Sequence, residues 1–379
     1  MKRREFVRLA SVGVIAPEML RAVEEGRPSG ERAPLAWPGY EQAFVVDALA
    51  GPMQFNIPQG ALPLGDEALD HISSSGITAV NLTVNARAGV DGSAFDNTRA
   101  RIATWARELV ANPATLVGVR SVADLRDAKA SQKLGLILGF QDAVPIEDDL
   151  GRIEEFYELG VRIVQLTYNV VNKIGSGCLA ADDGGLSELG VEVVDCLDER
   201  RVLIDLSHCG PRTTLDGIRA SRRPVSLTHS GCRAVFDHPR SKDDATLRLL
   251  AENGGVVGIY LMPFLNPSGP PSAAHVLAHI EHALDVCGED HVGIGSDQGI
   301  VPLDVGGDFT ARFEEVSRQR TAAGIAAPRE DTIPYVPDLN HPRRLETIAD
   351  HMSARGHPSR VIEKVLGANF MRLFEEVWG

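Results

Sequence analysis

The chain has 379 residues, of which 44% are hydrophobic and 24% charged, and its formal net charge is −14. This size and balance are typical of a soluble globular enzyme, and one α/β barrel with insertions can reach this length. The acidic charge argues against a nucleic-acid partner, because such proteins need a basic surface to displace counterions from phosphate. With this charge, small-molecule or cationic partners stay open. The sequence has no run of about 18 apolar residues, the length that would predict a membrane span.

The N-terminal residues 1–38 differ in composition from the remainder. Arg3 and Arg4, followed by a short apolar region, resemble a twin-arginine export signal. Charged residues return from Glu18 onward and no clear small-x-small cleavage site follows, so a loosely ordered leader is the alternative. We expect residues 1–38 to form a leader and linker and residues 39–379 a single domain. The protein is expected to be periplasmic or exported if the signal functions, and cytoplasmic otherwise.

From residue 42 onward, short apolar runs alternate with segments of helical periodicity. The runs are continuous rather than alternating, as expected for parallel strands that are covered on both faces. Eight predicted strands end near Leu49, Val84, Gln141, Tyr168, His208, His229, Met262 and Asp297. Eight such strands with intervening helices predict an α/β fold of the TIM (β/α)8 barrel type. A further run, TLVGVR, is assigned to an edge or connecting strand, and two helices are expected after residue 341.

Two of the predicted strands end in histidine. His208 closes VLIDLSH and His229 closes PVSLTH 21 residues later, which is about one strand–helix–strand repeat. The two imidazoles are therefore expected at the same end of neighbouring strands, where barrels build their active sites. A hydrogen-bonded histidine at a strand end is the ordinary interpretation of either residue alone. Two at equivalent positions indicate a metal site.

Two further strand ends carry polar side chains. Asp297 follows the last strand, and closure of a barrel would bring its carboxylate towards the histidines, where it could bind a metal or accept a proton from water. Capping of the following turn is the alternative role. Gln141 ends the third strand with a neutral amide, a poor metal ligand beside a carboxylate. The long connection at residues 169–190 is expected to shape substrate access, and that at residues 298–341 to form a lid or an oligomer contact.

In combination, these motifs resemble the membrane (renal) dipeptidase family of the amidohydrolase superfamily. The similarity extends from about residue 42 to the C terminus and includes VRIVQLTYNVVN, SGCLAADDGGLSELG, VLIDLSH, THSGCRAVFDHPR, VGIGSD and GANFMRLFEEV. The resemblance implies a metal-dependent TIM barrel of the amidohydrolase type that hydrolyses dipeptides with metal-activated water. A homodimer is a further expectation for a barrel of this type.

The resemblance also assigns roles to individual residues. His208 and His229 match the two histidines that hold the second zinc ion of the family. Asp297 matches the aspartate that binds the first zinc ion and handles the proton of the nucleophilic water. Arg240 matches the arginine that receives the substrate carboxylate, although a surface ion pair is the better interpretation from the sequence alone. Tyr168 stands where the family has a histidine that assists at the substrate carbonyl, and its hydroxyl could donate there.

Three family ligands are absent from this sequence. Leu49 and Gly51 stand in place of a His-x-Asp pair, and Gln141 stands in place of the bridging glutamate. We therefore expect one zinc ion rather than two, held by the two histidines and Asp297, with Gln141 or water as a further ligand. The alternatives are a catalytically impaired barrel that binds a small carboxylated ligand, and a hydrolase or lyase acting on a non-peptide amide.

Overall fold

The computed structural model describes residues 36–54, 62–86, 92–146 and 149–379. The predicted twin-arginine signal lies outside the described residues. The described residues belong to a compact unit that begins at Ala36. Trp37 is buried, its backbone N–H donates to Asp350 (2.6 Å), and its indole N–H donates to Ser359 (3.2 Å). These contacts attach the last residues of the predicted linker to the main unit.

Eight parallel strands close into a barrel. In chain order they are β1 Val46–Asp47, β2 Ala79–Thr83, β3 Leu134–Phe140, β4 Val161–Gln165, β5 Leu203–Asp205, β6 Ser226–Cys232, β7 Val256–Ile259 and β8 Val292–Ile294. Each strand pairs with the next, and β8 pairs with β1 to close the ring. Every residue of these strands except Thr83 is buried, as the continuous apolar runs predicted. The predicted TIM barrel is confirmed.

Four further short strands among the described residues lie beside the barrel. Leu116–Gly118, the ninth apolar run, pairs with the first half of β3, ahead of the point at which β4 begins. It is the edge strand that the sequence predicted. At the carboxyl ends, Ala50–Gly51 pairs with Gln298–Gly299, and Ser241–Lys242 pairs with β6. These pairings extend the barrel wall around the residues that follow β1, β6 and β8.

Helices surround the strands. Their bounds are α1 Asp66–Ser74, α2 Ala94–Ala111, α3 Val122–Ala130, α4 Gly151–Glu158, α5 Glu188–Glu199, α6 Pro211–Ala220, α7 Asp244–Glu252, α8 Ala273–Cys287, α9 Gly307–Ala322, α10 Arg344–Ala354, α11 Ser359–Glu363 and α12 Asn369–Trp378. The first-turn N–H groups of four of them are capped by the side chains of Ser93, Ser121, Ser187 and Asp243. Within the described ranges, no helix combines the length and the hydropathy that crossing a bilayer requires.

The second C-terminal helix is not continuous as predicted. A π-helical turn, Lys364–Ala368, separates α11 from α12. Gly367 of this turn lies against the backbone that leads into β1, where a Cβ atom would overlap the carbonyl oxygen of Phe44. Only glycine permits such an approach. The turn allows α12 to pack with residues at the amino ends of the strands, among them Val46, Ala79, Leu203 and Val256.

Candidate metal centre

His208 and His229 lie together at the carboxyl ends of two neighbouring strands. β5 ends at Asp205, so His208 stands in the loop that follows, whereas His229 lies within β6. Both side chains are buried, and their ring centroids are 4.9 Å apart. The structure therefore brings the two histidines together as their spacing predicted.

Asn169 determines which nitrogen of His208 carries the proton. Its Oδ1 lies 2.6 Å from Nδ1 of His208, while its Nδ2 donates to the carbonyl oxygen of Ile325 (3.2 Å) and to Oε1 of Glu330 (3.1 Å). Both of the latter partners are acceptors, so the amide cannot be reversed and Oδ1 must accept from the imidazole. His208 therefore donates through Nδ1 and carries its lone pair on Nε2.

A separate relay has the same effect on His229. The hydroxyl of Thr228 donates to Oδ2 of Asp205 (2.6 Å) and lies 2.9 Å from Nδ1 of His229. Since a hydroxyl has one proton, Thr228 must accept from Nδ1–H, which leaves the lone pair on Nε2. Burial raises the pKa of Asp205. The N–H and O–H groups of Ser207 and Thr228 all donate to its carboxylate and oppose that rise.

The two Nε2 atoms fit a metal ion. Each is buried and has no hydrogen-bond partner in the part of the chain that the structure describes. Burial, followed by the positive charge of Arg240, lowers the pKa of His208 and of His229 well below the usual range, so both rings are neutral at pH 7. A buried unpaired polar atom costs about 1–3 kcal/mol. A neutral imidazole whose other nitrogen is already hydrogen-bonded is the usual form of a metal-binding histidine.

Asp297 lies three residues after β8 in a strained conformation. Its φ of 56° is unusual for a residue other than glycine, and its N–H donates to the carbonyl oxygen of Leu49 (2.7 Å). Burial raises the pKa of its carboxyl group to about 7, against the opposing effects of Arg240 and of a hydrogen bond from Gln141. Over the described ranges, no three His, Cys, Asp or Glu side chains are grouped to enclose a metal ion. The structure thus assembles the histidine pair, but not a cluster that also includes Asp297.

The residues present do not fit the two-ion centre that the family resemblance implies. Leu49, at one of the absent ligand positions, is a buried apolar side chain. Gly51 has no side chain with which to bind a cation, and the neutral amide of Gln141 donates to Asp297. Of the donors that the resemblance gives to the first ion, only Asp297 is therefore present.

Tyr168 covers one face of His208. Its ring stacks on His208 with a centroid separation of 4.1 Å. Its hydroxyl is hydrogen-bonded to Arg320, whose guanidinium carbon lies 6.0 Å from the tyrosine ring. Arg320 in turn forms an ion pair with Glu330 (2.7 Å). The long connection at residues 298–341 therefore reaches the surroundings of the histidines through α9 and the loop after it.

Arg240 is directed inward. It is 2% exposed, and its guanidinium donates to the backbone carbonyl oxygens of Ser207 and His229, the second at 3.2 Å. The surface ion pair that the sequence alone favoured is therefore wrong. Arg240 joins the ends of β5 and β6, and its role in receiving a substrate carboxylate stays a prediction. Together with Lys242 and Arg320, it makes the surroundings of His208 cationic.

Four residues that orient the histidines were missed by the sequence analysis. Asp205 and Thr228 had local signals, because Asp205 interrupts an apolar run and Thr228 directly precedes a histidine. Asn169 follows a predicted strand end but has no distinguishing pattern. Its partner Glu330 is 161 residues away in the sequence, and no local pattern connects the two.

Comparisons with known proteins agree with the fold and with the motifs. A family model described as Membrane dipeptidase (Peptidase family M19) matches residues 61–320. Dipeptidase verJ of Clonostachys rogersoniana is 27% identical over 263 residues, which are 68% of this chain and 65% of that protein. The chain thus spans just under two thirds of the length of this relative. The crystal structure of an amidohydrolase from Pseudomonas aeruginosa is 31% identical, with a TM-score of 0.76 over 90% of this chain and 98% of that one. A Rhodobacter sphaeroides metallopeptidase bound to a phosphinate mimic of L-Ala-D-Ala is 20% identical, with a TM-score of 0.69 over 89% and 99%.

Proposed function

Because the chain belongs to the membrane dipeptidase family, we propose that it is a metal-dependent hydrolase that cleaves the amide bond of a dipeptide or a related small amide. The observation that carries the proposal is the pair of buried Nε2 atoms, on His208 and His229, without a hydrogen-bond partner among the described residues. The dipeptide mimic bound to the Rhodobacter sphaeroides metallopeptidase supports the substrate class.

The metal is proposed to be a single zinc ion. His208 and His229 would supply two nitrogen ligands. Asp297, which is not grouped with them in the structure, would move in on metal binding as the third, with Gln141 or water as a further ligand, in accord with the three protein ligands common at catalytic zinc sites. Leu49 and Gly51, at the family's two ligand positions after β1, offer no ligand for a second ion. A zinc ion bound there would supply Lewis acidity for a substrate carbonyl and for water.

The chain's own groups would position the substrate and move the proton. Asp297, whose carboxylate matches the family's proton-handling aspartate, would accept and return the proton of the attacking water. The hydroxyl of Tyr168 would donate to the substrate carbonyl. Arg240 and Arg320 give this end of the barrel a positive charge that matches the C-terminal carboxylate of a dipeptide.

The second candidate function is binding of a small carboxylated ligand without catalysis. It is favoured by the cationic groups around His208, namely Arg240, Lys242 and Arg320. It is also favoured by the lack of a three-donor metal cluster in the described ranges. A non-peptide amide substrate, a homodimer and export stay predictions.

A panel of dipeptides with L- and D-configured C-terminal residues tests the first candidate. The full chain, loaded with zinc, is expected to hydrolyse at least one of them, and His208→Ala is expected to abolish turnover. His282→Ala is the matched control, because this histidine lies on α8 and pairs with Asp244 (2.8 Å). Turnover that survives in His208→Ala would contradict the proposal. Thermal stabilisation by dipeptides without any turnover would instead support the binding protein.

A further inference from the structure

We propose that Asn169 is a positioning residue, set by the segment Arg320–Glu330, that keeps the Nε2 lone pair of His208 directed at the metal site. This segment, which runs from the end of α9 into the following loop, is called the covering segment below. The consequence for metal binding rests on the proposed function. The protonation pattern of His208 does not, because it is a property of the folded chain.

Glu330 connects the covering segment to Asn169 through both of its carboxylate oxygens. Oε2 accepts from Arg320, at 2.8 Å from Nε and 2.7 Å from Nη2. Oε1 accepts from Nδ2 of Asn169 at 3.1 Å. The second proton of Nδ2 goes to the carbonyl oxygen of Ile325, in the same segment, at 3.2 Å. Both donor positions of the amide are therefore satisfied by the covering segment.

The backbone of Asn169 is fixed independently of that segment. Its carbonyl oxygen accepts from the N–H of Leu179 at 2.8 Å. Gly177 lies so close behind that a Cβ atom there would overlap the Asn169 backbone. On the site side, Oδ1 accepts from Nδ1 of His208 at 2.6 Å and from the Cys178 thiol at 3.6 Å. The residue can change its hydrogen bonding only by rotation of its amide group.

Removal of the covering segment's acceptors would free that rotation. A reversed amide presents Nδ2 to His208, whose Nδ1 must then accept, so the ring proton moves to Nε2. A protonated Nε2 has no lone pair for a metal. His229 is an internal reference, because Asp205 and Thr228 set its protonation from within the barrel. The covering segment is thus coupled to one of the two histidines and not to the other.

The experiment is long-range ¹H–¹⁵N NMR of the metal-free full chain labelled with ¹⁵N-histidine, which shows the nitrogen that carries the proton in each ring. Signals are assigned by their loss in His208→Gln and His229→Gln. Glu330→Ala removes one of the two acceptors and leaves the carbonyl oxygen of Ile325, and Glu330→Lys replaces the carboxylate with a donor that favours the reversed amide. Glu315→Ala is the control, because it breaks an exposed ion pair on α9 with Arg318 (2.6 Å).

We expect the ring proton of His208 to lie on Nδ1 in the native chain and in Glu315→Ala. In both Glu330 variants, part of the population should carry this proton on Nε2 instead. His229 is expected to stay unchanged throughout. Zinc dissociation constants should rise about 10-fold or more in the Glu330 variants, as for other residues that orient a metal ligand. A native His208 protonated on Nε2, or no shift in either variant, would overturn the proposal. The expected protonation without zinc binding would instead refute only the proposed function.

Discussion

Replacement of Thr228 with valine is expected to release His229 from its fixed protonation. Valine has the shape of threonine, so the change removes two buried hydrogen bonds without opening a cavity, one to Asp205 (2.6 Å) and one from His229 (2.9 Å). Each buried partner left unsatisfied costs about 1–3 kcal/mol. The free energy of unfolding should therefore fall by about 2–6 kcal/mol, and zinc affinity should fall roughly 10- to 100-fold because the imidazole is no longer oriented.

The assay compares Thr228→Val with Thr228→Ser, which keeps the hydroxyl and loses only a methyl group. Urea unfolding measures the change in stability, and zinc titration against a chromophoric chelator measures affinity. The serine variant should bind zinc within a few-fold of the native chain. If the valine variant binds zinc as tightly as the serine variant, the relay from Asp205 does not set the state of His229 and the reasoning is refuted.

Three further substitutions test other parts of the molecule. Both ring nitrogens of buried His279 are hydrogen-bonded to backbone groups, and burial lowers its pKa from 6.5 to about 4. Between these pH values the unfolded chain binds a proton at His279 more tightly than the folded chain does. The free energy of unfolding should therefore fall by about 3 kcal/mol as the pH falls from 6.5 to 4. Chemical denaturation at both pH values should show a smaller loss in His279→Gln, and an equal loss would contradict this. Arg344→Met leaves Asp47 as a buried carboxylate without its 3.2 Å ion pair. Urea unfolding should show that the free energy of unfolding falls by about 3–5 kcal/mol. A loss below about 1 kcal/mol would contradict the importance of this ion pair. Gln141→Glu replaces an amide that donates to Asp297 with a second carboxylate. Zinc titration should therefore show that the affinity for zinc rises by about 10-fold or more. An unchanged affinity would argue that residue 141 and Asp297 do not share the metal site.

The barrel was predictable because strands that are covered on both faces are encoded as continuous apolar runs. The strand ends were less predictable. β5 stops at Asp205 because its carboxylate accepts from the N–H and O–H of Ser207, so the chain leaves the sheet before His208. The interruption before α12 depends on the approach of Gly367 to the backbone at Phe44, which no local pattern contains.

The site was predictable to the extent that it follows strand periodicity. The spacing of His208 and His229 placed them together, because equivalent positions of successive strand–helix units meet at the same end of a barrel. The orientation of each ring was not predictable, since it depends on hydrogen bonds between distant parts of the chain, such as that from Asn169 to Glu330. The inward direction of Arg240 likewise follows from backbone carbonyl groups, which carry no sequence signal.

The metal content of the purified chain tests the central claim most directly. After growth with supplemented zinc, manganese and iron, equilibrium dialysis followed by elemental analysis should find about one zinc ion per chain, as a mononuclear catalytic site requires. His208→Ala and His229→Ala should each lose that ion, whereas His282→Ala should keep it. A native chain that binds no metal, or one that binds two ions despite Leu49 and Gly51, would contradict the account.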